Sequence, residues 1–219
     1  MATVSRKGLP YLYATWLAAY LAGERQCLWQ LWFQSRYKFD KVAREDFSLE
    51  AWKADHDQLV TARAEVMRQA GFSVTIENQN HWQLRGASAI VAGKMDLVAR
   101  KNGYGIVLDG KTGAPKARDY WQVLIYLTML PLCWTSRLRL SGEVFYKDGS
   151  RRQIEPEEVT EERKAAIFAL IRQIGQCQGP PLKTPSVPEC GRCDVGRNNC
   201  PDRMEPEAEN SGVEHTDLF

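Results

Sequence analysis

The chain has 219 residues, of which 44% are hydrophobic and 26% charged, and its formal net charge is +2. This composition is ordinary for a globular protein that buries a core, and the length suits one good-sized domain. The most apolar stretches, 11–23 and 121–134, are too short to span a bilayer, and the start does not resemble a secretory signal. The sequence therefore argues against a membrane protein and predicts a soluble, cytoplasmic one.

The charge is unevenly distributed along the chain. Residues 201–219 hold six acids and one base, a net of −5, so that a total of +2 leaves +7 on the other 200 residues. A basic body with an acidic tail is compatible with a polyanionic ligand such as DNA. The composition of the tail predicts disorder, and its last residues, 216–219, are a candidate docking peptide for a clamp-type protein.

The first third of the chain is predicted to be helical, with helices over 11–20, 27–39 and 49–70. Ser48 is a suitable N-cap for the third helix, and Gly71 a suitable end. Aromatic residues at helical spacing fill the first two helices, and we expect them to be core residues rather than a surface that stacks unpaired bases. They are Trp16, Tyr20, Trp29, Trp32, Phe33 and Tyr37.

From residue 72 the pattern changes to strands, predicted over 72–77, 81–84, 94–100, 104–109 and 138–146. Helices are predicted over 117–130 and 160–178. This order of elements predicts a mixed sheet flanked by helices, and it is compatible with either an α/β or an α+β fold.

The Asn-Gly pair at 102–103, between two apolar runs, is a strong hairpin signal. If these two residues form the turn, Lys101 pairs with Tyr104. The same register places Asp96 opposite Asp109, with their Cβ atoms roughly 5 Å apart on one face.

Lys111 follows Asp109 at a spacing of two and therefore shares its face of the sheet. Two neighbouring carboxylates repel each other, and a divalent cation such as Mg²⁺ or Mn²⁺ neutralises them with the oxygen ligands it prefers. Lys111 is then placed to hold or activate a water for attack on phosphorus. The alternative is a pair of strand-end aspartates in salt bridges with surface lysines.

Residues 105–112 also fit the phosphate-loop pattern G-x-x-x-x-G-K-[ST]. That loop needs a flexible interior and a helix that opens at the lysine. Here the interior is Ile-Val-Leu, and Gly113 and Pro115 impede a helix, so we reject a nucleotide-binding loop.

Gln122 and Tyr126 lie four residues apart and share one face of the helix predicted over 117–130. They are candidates to contact phosphates or to orient Lys111. The alternative is a mixed helix surface with Tyr126 half-buried.

Together these residues resemble the RecB-like branch of the PD-(D/E)XK nuclease superfamily. The matching segments are Gly93 to Asp96, the Asp-Gly-Lys-Thr-Gly run at 109–113, and Gln122 with Tyr126. The resemblance implies an α/β, restriction-endonuclease-like fold with a mixed central sheet flanked by helices.

The resemblance also implies roles for individual residues. Asp96, Asp109, the Gly110 carbonyl and a histidine would bind the metal, and His56 fits that histidine better than His81. Lys111 would activate water, and Gln122 and Tyr126 would position the substrate. Glu77 lies where the family often has an acid, but no role is assigned to it.

Six cysteines in a cytosolic chain favour metal binding over disulfides, above all the cluster Cys190, Cys193 and Cys200. A subset of the RecB-like nucleases has one such cysteine near the N-terminus, here Cys27, and the four jointly hold a [4Fe–4S] cluster. Zinc at the same four cysteines is the chemical alternative. Cys133 and Cys177 lie in apolar helices and are expected in the core.

The resemblance extends to the CRISPR-associated, RecB-like iron–sulfur exonucleases, the fourth Cas family. It implies a Mg²⁺- or Mn²⁺-dependent nuclease that trims single-stranded DNA ends, with integrase subunits as partners, or a related mobile-element protein. The alternative is a non-catalytic DNA-binding or assembly subunit stapled by the cluster or by zinc. The predicted division is a helical region 1–47, a nuclease core 48–178, a cysteine-rich segment 179–200 and an acidic tail 201–219.

Overall fold

The computed structural model describes residues 3–43, 48–135 and 137–205. Its elements are β1 (Val4–Ser5), β2 (Tyr11–Tyr13), α1 (Ala14–Leu21), α2 (Leu28–Arg36), β3 (Tyr37–Lys38), α3 (Leu49–Gln69), β4 (Ser73–Ile76), β5 (His81–Arg85), β6 (Ile90–Lys94), β7 (Leu97–Lys101), β8 (Tyr104–Lys111), α4 (Ala117–Cys133), β9 (Arg139–Tyr146), β10 (Arg151–Ile154), α5 (Glu161–Gly175) and α6 (Val187–Gly191). Two short 3₁₀ helices cover Glu77–Gln79 and Pro156–Glu158.

The central sheet has five strands in the order β10-β9-β8-β7-β4. β8 and β9 are parallel and are joined through α4, whereas the other three pairs are antiparallel. A second sheet has the order β2-β6-β5, with β2 parallel to β6. The predicted mixed sheet flanked by helices is therefore confirmed.

Two apolar cores cover opposite faces of the central sheet. On β8, Val107 packs into the large core beneath α4, while its neighbour Leu108 packs into the smaller core beneath α3. This alternation follows from the strand period of two. It also directs Asp109, two residues after Val107, toward α4.

One buried ion pair joins α3 to the sheet. Arg63 donates two hydrogen bonds, each 2.8 Å long, to the two carboxylate oxygens of Glu143 on β9. The paired fork geometry fixes the position of α3, the helix that carries His56, against the sheet.

Several predicted boundaries were wrong because of long-range pairing. The helix predicted over 11–20 begins only at Ala14, since Tyr11–Tyr13 pairs with β6. The strand predicted over 94–100 is interrupted at Met95 and Asp96: Lys94 is the last residue of β6 in the second sheet, and residues 97–100 belong to β7 in the central sheet. The strand β10 and the helix α6 were not predicted, and the last long helix ends at Gly175 rather than at residue 178.

The predicted aromatic core is confirmed. Trp29 and Phe33 are buried, and Trp16, Tyr20, Trp32 and Tyr37 pack against the buried clusters. Across the described ranges, 3–43, 48–135 and 137–205, no helix has the length and apolarity needed to cross a membrane. The predicted division into four regions stays a prediction, and residues 216–219 lie outside the described part of the chain.

Candidate active site

The site lies at the end of the central sheet where β7 begins and β8 ends. The turn between these strands has φ of +49° at Asn102 and +81° at Gly103, and Lys101 pairs with Tyr104, as predicted. The pairing continues to Leu97 and Leu108 in the same register. Asp96 directly precedes β7, so the next position along the hairpin places it beside Asp109.

Asp96 is held by contacts from two other elements. Its Oδ2 atom accepts a hydrogen bond from the Gly110 backbone N–H at 2.7 Å and lies 3.2 Å from Nε2 of His56. Gly110 has no room for a side chain, because a Cβ atom there would lie 2.9 Å from the ring of Phe145. The glycine therefore lets the end of β8 pack against Phe145 while its N–H bonds the Asp96 carboxylate.

His56 lies between two acids. Its Nδ1 atom is 3.5 Å from a carboxylate oxygen of Glu77, on the side opposite Asp96. The hydrogen bond to Asp96 is the largest contribution raising the pKa of His56, which burial opposes. Each of the three residues offers a ligand atom within 4.8 Å of the others, and hard oxygen ligands with one imidazole suit a divalent cation.

Glu77 received no role from sequence reasoning, yet it completes this group. It begins the short 3₁₀ helix after β4, with a strained φ of +25°, and its backbone N–H donates to the Asp96 carbonyl at 2.8 Å. Strained residues of this kind concentrate at functional sites. His81, the alternative histidine, is exposed at the start of β5 and lines the same cleft, but it is not part of the group.

Asp109 and Lys111 form the other half of the site. The Lys111 ammonium lies 2.5 Å from Oδ2 of Asp109, and it donates to the side-chain oxygen of Gln122 at 3.1 Å. Gln122 in turn donates to Oδ1 of Asp109 at 2.7 Å. The amide thus sets the positions of both the acid and the lysine.

Burial and the partner's charge have opposite effects on the pKa of Asp109 and on that of Lys111. Burial raises the pKa of Asp109 to about 6, with a further contribution from Asp96, although the Lys111 charge opposes the shift. Burial alone lowers the pKa of Lys111, but the charge and hydrogen bond of Asp109 outweigh it and the net pKa is raised. Lys111 is therefore a cation in the metal-free protein.

Tyr126 is fully buried, and its hydroxyl contacts the same Gln122 amide group that bonds Asp109. Its hydroxyl accepts a hydrogen bond from the Gln122 amide at 2.8 Å and donates one to the Lys94 carbonyl at 2.9 Å. Gly93 makes this approach possible, since a Cβ atom there would lie 2.8 Å from the Tyr126 ring. The predicted residues of the motif are thus brought together, with Tyr126 as a support for Gln122.

These residues line one cleft with a volume of about 1190 Å³. Two exposed aromatic side chains also line it: Tyr13, which precedes α1, and Trp52 on α3, with exposed fractions of 39% and 40%. The Trp52 ring stacks on His56 with centroids 5.1 Å apart. Sequence reasoning did not single out either aromatic, since nothing local distinguishes them from core residues.

The rejected phosphate loop is absent from the structure at residues 105–112. Strand β8 continues to Lys111, and the following helix begins only at Ala117. The lysine therefore faces the carboxylates from a strand and does not begin a helix that could cradle phosphates.

The four predicted cysteines lie at one corner of the molecule, which we call the cysteine corner: Cys27, Cys190, Cys193 and Cys200. Cys27, Cys193 and Cys200 pack against a small cluster of Trp29, Phe33 and Val195. Burial raises the pKa of the Cys200 thiol, and the nearby Cys27 and Cys190 contribute in the same direction. Among the residues that the structure describes, these sulfurs do not form a group of three within 4.8 Å of one another.

The two remaining cysteines lie apart from this corner. Cys133, near the end of α4, donates to the Met129 carbonyl, and Cys177, after α5, donates to the Gly179 carbonyl. Both are partly buried rather than core residues.

A mixed sheet whose central hairpin carries two buried carboxylates and a lysine is the arrangement expected of a metal-dependent nuclease. The family model of the PD-(D/E)XK nuclease superfamily matches residues 10–201. The chain belongs to this superfamily.

Comparison with solved structures adds evidence for the fold. The chain is similar to the crystal structure of SSO0001, with 19% sequence identity, a TM-score of 0.50, and coverage of 91% of this chain and 89% of that chain. At this identity the likeness concerns the fold alone. No curated protein sequence matches the chain significantly.

Proposed function

We propose that this protein is a divalent-metal-dependent deoxyribonuclease that hydrolyses phosphodiester bonds at single-stranded DNA ends. The observation that carries the proposal is the position of Lys111. It is held by Asp109 and Gln122 at the end of β8, and the adjoining Gly110 bonds Asp96 of the His56–Glu77–Asp96 group.

The residues present fit a divalent cation. Oδ2 of Asp109 is buried, and the Lys111 ammonium lies 2.5 Å from it. Asp96 is a second buried carboxylate in the same site, so a divalent cation would offset the negative charge that one ammonium leaves. His56, Glu77 and Asp96 would hold the ion, with Asp109 and the Gly110 carbonyl as further predicted ligands.

When bound, the ion supplies positive charge to the phosphate as negative charge develops on it. The protein's own groups do the rest. Lys111 donates hydrogen bonds to the attacking water and to a phosphate oxygen, and Gln122 keeps its ammonium in place. Tyr126 and the Lys94 carbonyl hold Gln122 from behind, so the lysine needs little reorganisation to act.

The cleft walls support an unpaired strand as the substrate. Trp52 and Tyr13 present exposed rings in the same cleft as the acids, and Lys53 and Lys116 also line it. Aromatic rings stack unpaired bases and lysines contact the backbone, a combination that suits single-stranded DNA. A duplex keeps its bases stacked and gains nothing from these rings.

The cysteine corner supports a [4Fe–4S] cluster held by Cys27, Cys190, Cys193 and Cys200. Three of these residues, Cys27, Cys193 and Cys200, pack against the same small cluster of buried side chains. An iron–sulfur cluster takes four thiolates. Bound there, it would tie the start of α2 to the segment after α5.

The biological setting is proposed from the same resemblance. A nuclease of this kind with four such cysteines would trim DNA in the cytoplasm for a CRISPR spacer integrase, or for a related mobile-element process. Co-purification with co-expressed integrase subunits, and loss of trimmed ends from the integrated products when Lys111 is replaced, would test this role.

The experiment for the activity measures cleavage of end-labelled single- and double-stranded DNA with Mn²⁺ or Mg²⁺. Lys111→Ala is expected to lower the rate by at least about 100-fold, the usual contribution of one preorganised hydrogen-bond donor at the reacting centre. Its matched control is Lys147→Ala: Lys147 follows β9, its backbone N–H donates to the Lys111 carbonyl, and its side chain is exposed. The control should cleave like the wild type.

Two outcomes would overturn the proposal. Wild-type cleavage by Lys111→Ala would remove the lysine from the chemistry. A wild-type protein that binds DNA but cleaves none with either ion would favour the alternative, a non-catalytic DNA-binding subunit. Faster cleavage of duplex than of single strands would contradict the substrate assignment alone.

A further inference from the structure

The cysteine corner is assembled by a carboxylate as well as by its sulfurs. Glu189 lies in α6 next to Cys190, and only 8% of its surface is exposed. Its Oε1 atom accepts hydrogen bonds from the backbone N–H groups of Gln26 at 2.9 Å and Cys27 at 2.7 Å. The buried side chain of Glu189, in the C-terminal segment, thus binds the backbone of Cys27 near the N-terminus.

A second contact runs between the same two segments. Arg25 donates to the Glu189 carbonyl at 3.0 Å and also to the carbonyl of Arg192. Residues 25–27 are therefore joined to α6 through both a side chain and a backbone group. All these bonds involve a charged donor or acceptor, and such bonds are about twice as strong as neutral ones.

The position of Glu189 is favourable for helix α2. The first N–H groups of a helix lack partners within it, and negative charge is stabilised at this end. Cys27 is the N-cap residue of α2 and its own side chain makes no cap hydrogen bond. Glu189, 162 residues away in sequence, accepts from the backbone N–H of the N-cap residue Cys27 itself.

The other three cysteines depend much less on long-range contacts. The Cys193 N–H donates to the Cys190 carbonyl at 3.0 Å, and the Cys200 N–H donates to the Gly196 carbonyl at 2.9 Å. These bonds are local to the segment from 190 to 200. Cys27 is the thiol that comes from a distant part of the chain, and its backbone is bonded by Glu189 on one side and by the Tyr20 hydroxyl on the other.

We propose that Glu189 is a positioning residue that brings Cys27 against Cys190 before any metal group binds. The functional purpose of this positioning rests on the proposed metal site at the four cysteines, whereas the hydrogen bonds of Glu189 do not depend on that site. The proposal predicts that the corner is already assembled in the metal-free chain. It also predicts that removing the carboxylate detaches Cys27 alone.

The test uses the full-length chain in three variants. Glu189→Ala removes the acceptor, whereas Glu189→Gln keeps an oxygen acceptor without the charge. Asp202→Ala is the matched control: Asp202 also lies near a cysteine, two residues after Cys200, but its carboxylate makes an exposed ion pair with Lys183. Two measurements are made on each: amide hydrogen exchange of the metal-free protein, and iron and sulfide content after anaerobic reconstitution.

In the metal-free protein, Glu189→Ala is expected to speed exchange in a peptide covering residues 22–31 by about tenfold or more, the effect of losing a hydrogen bond to a charged group. Exchange in peptides from α4 should not change. Glu189→Gln should fall between Glu189→Ala and the wild type, and Asp202→Ala should match the wild type. Exchange in Glu189→Ala at the wild-type rate would overturn the proposal. If Glu189→Ala aggregates, the exchange rate of Glu189→Gln decides in the same way.

In the reconstituted protein, Glu189→Ala should hold less than half of the wild-type iron, and Glu189→Gln should recover most of it. In a Cys27→Ala background, Glu189→Ala should lower the iron content no further, because its effect acts through Cys27. A further loss would show a general structural role instead. If the wild type binds no iron, the proposed cluster is wrong, but the difference in hydrogen exchange between Glu189→Ala and the wild type still tests the role of Glu189. If the wild type binds iron and this difference is absent, only the proposed role of Glu189 is wrong.

Discussion

The cleft and the cysteine corner are built in opposite ways. The cleft places charged groups inside the protein: Asp109 is 1% exposed, and burial raises its pKa to about 6. The corner places thiols among aromatic rings, and its one buried carboxylate, Glu189, is satisfied by two backbone donors. The cleft therefore keeps charged groups in a buried setting that opposes their ionisation, whereas the corner is held together by hydrogen bonds within the protein.

This difference indicates what each region does. Electrostatic strain at a site costs stability and is retained where function needs it. Satisfied hydrogen bonds between distant segments stabilise the fold and need no ligand. We therefore expect changes in the cleft to affect chemistry more than stability, and changes in the corner to affect stability more than chemistry.

The largest expected effect is that of Asp109→Asn on activity. Loss of the carboxylate should lower the cleavage rate by at least about a thousandfold, the rate equivalent of the several kcal/mol that a catalytic metal contributes. Asp55→Asn, which alters an exposed ion pair on α3, is the control and should cleave normally.

Asp109→Asn also tests whether the buried carboxylate destabilises the folded protein. Because the folded-state pKa of about 6 lies above the ordinary value of about 4, the contribution of Asp109 to the stability of the wild type falls as pH rises from about 4 to 6. Asp109→Asn has no such loss, so without metal its Tm relative to the wild type should increase over this range. A relative Tm that falls with rising pH would contradict a raised pKa of Asp109 in the folded protein.

A smaller effect is expected at the aromatic wall of the cleft. Trp52→Ala should weaken binding of single-stranded DNA by about tenfold, since stacking of one base contributes about 1–3 kcal/mol. An oligonucleotide with an abasic residue at the stacked position should lose nothing further. Tyr104→Ala, which removes another exposed aromatic at the β7–β8 turn, is the control. Equal losses on normal and abasic strands would show that Trp52 acts only by packing on His56.

The smallest effect on the cleft is expected from the corner. Cys27→Ala should lower the Tm of the iron-loaded protein, but it should change the Mn²⁺ affinity of the cleft by no more than about twofold, because distant sites act independently. Cys133→Ala, in α4, is the matched cysteine control and should keep its iron. Titration of Mn²⁺ by calorimetry checks the affinity, and a tenfold loss would show that the two regions are coupled.

The cleft was largely predictable from the sequence because its central parts are local. A hairpin turn with positive φ at both residues follows from Asn-Gly, and the register then places Asp96, Asp109 and Lys111 by the strand period. The helix face that carries Gln122 and Tyr126 follows from their spacing of four. These features depend on steric rules that act over a few residues.

Contacts between distant segments could not be predicted in this way. Glu77 lies beside His56 and Asp96 only because the fold turns the 3₁₀ helix after β4 toward His56. The segment Tyr11–Tyr13 reads as helical, yet it forms a strand because β6 offers it a parallel partner. Tertiary pairing of this kind outweighs the small free energies of local propensity.

By itself, the sequence determined the acid–lysine hairpin, the class of fold and the four cysteines that have the right type for metal binding. Only the tertiary structure decided which acids surround His56, which aromatics face the cleft, and how Cys27 reaches Cys190. The physical reason is the separation in sequence over which each interaction acts. Turn geometry and strand period act between neighbours, whereas the bonds from Glu189 to residues 26 and 27 exist only once the two ends of the chain have been folded together.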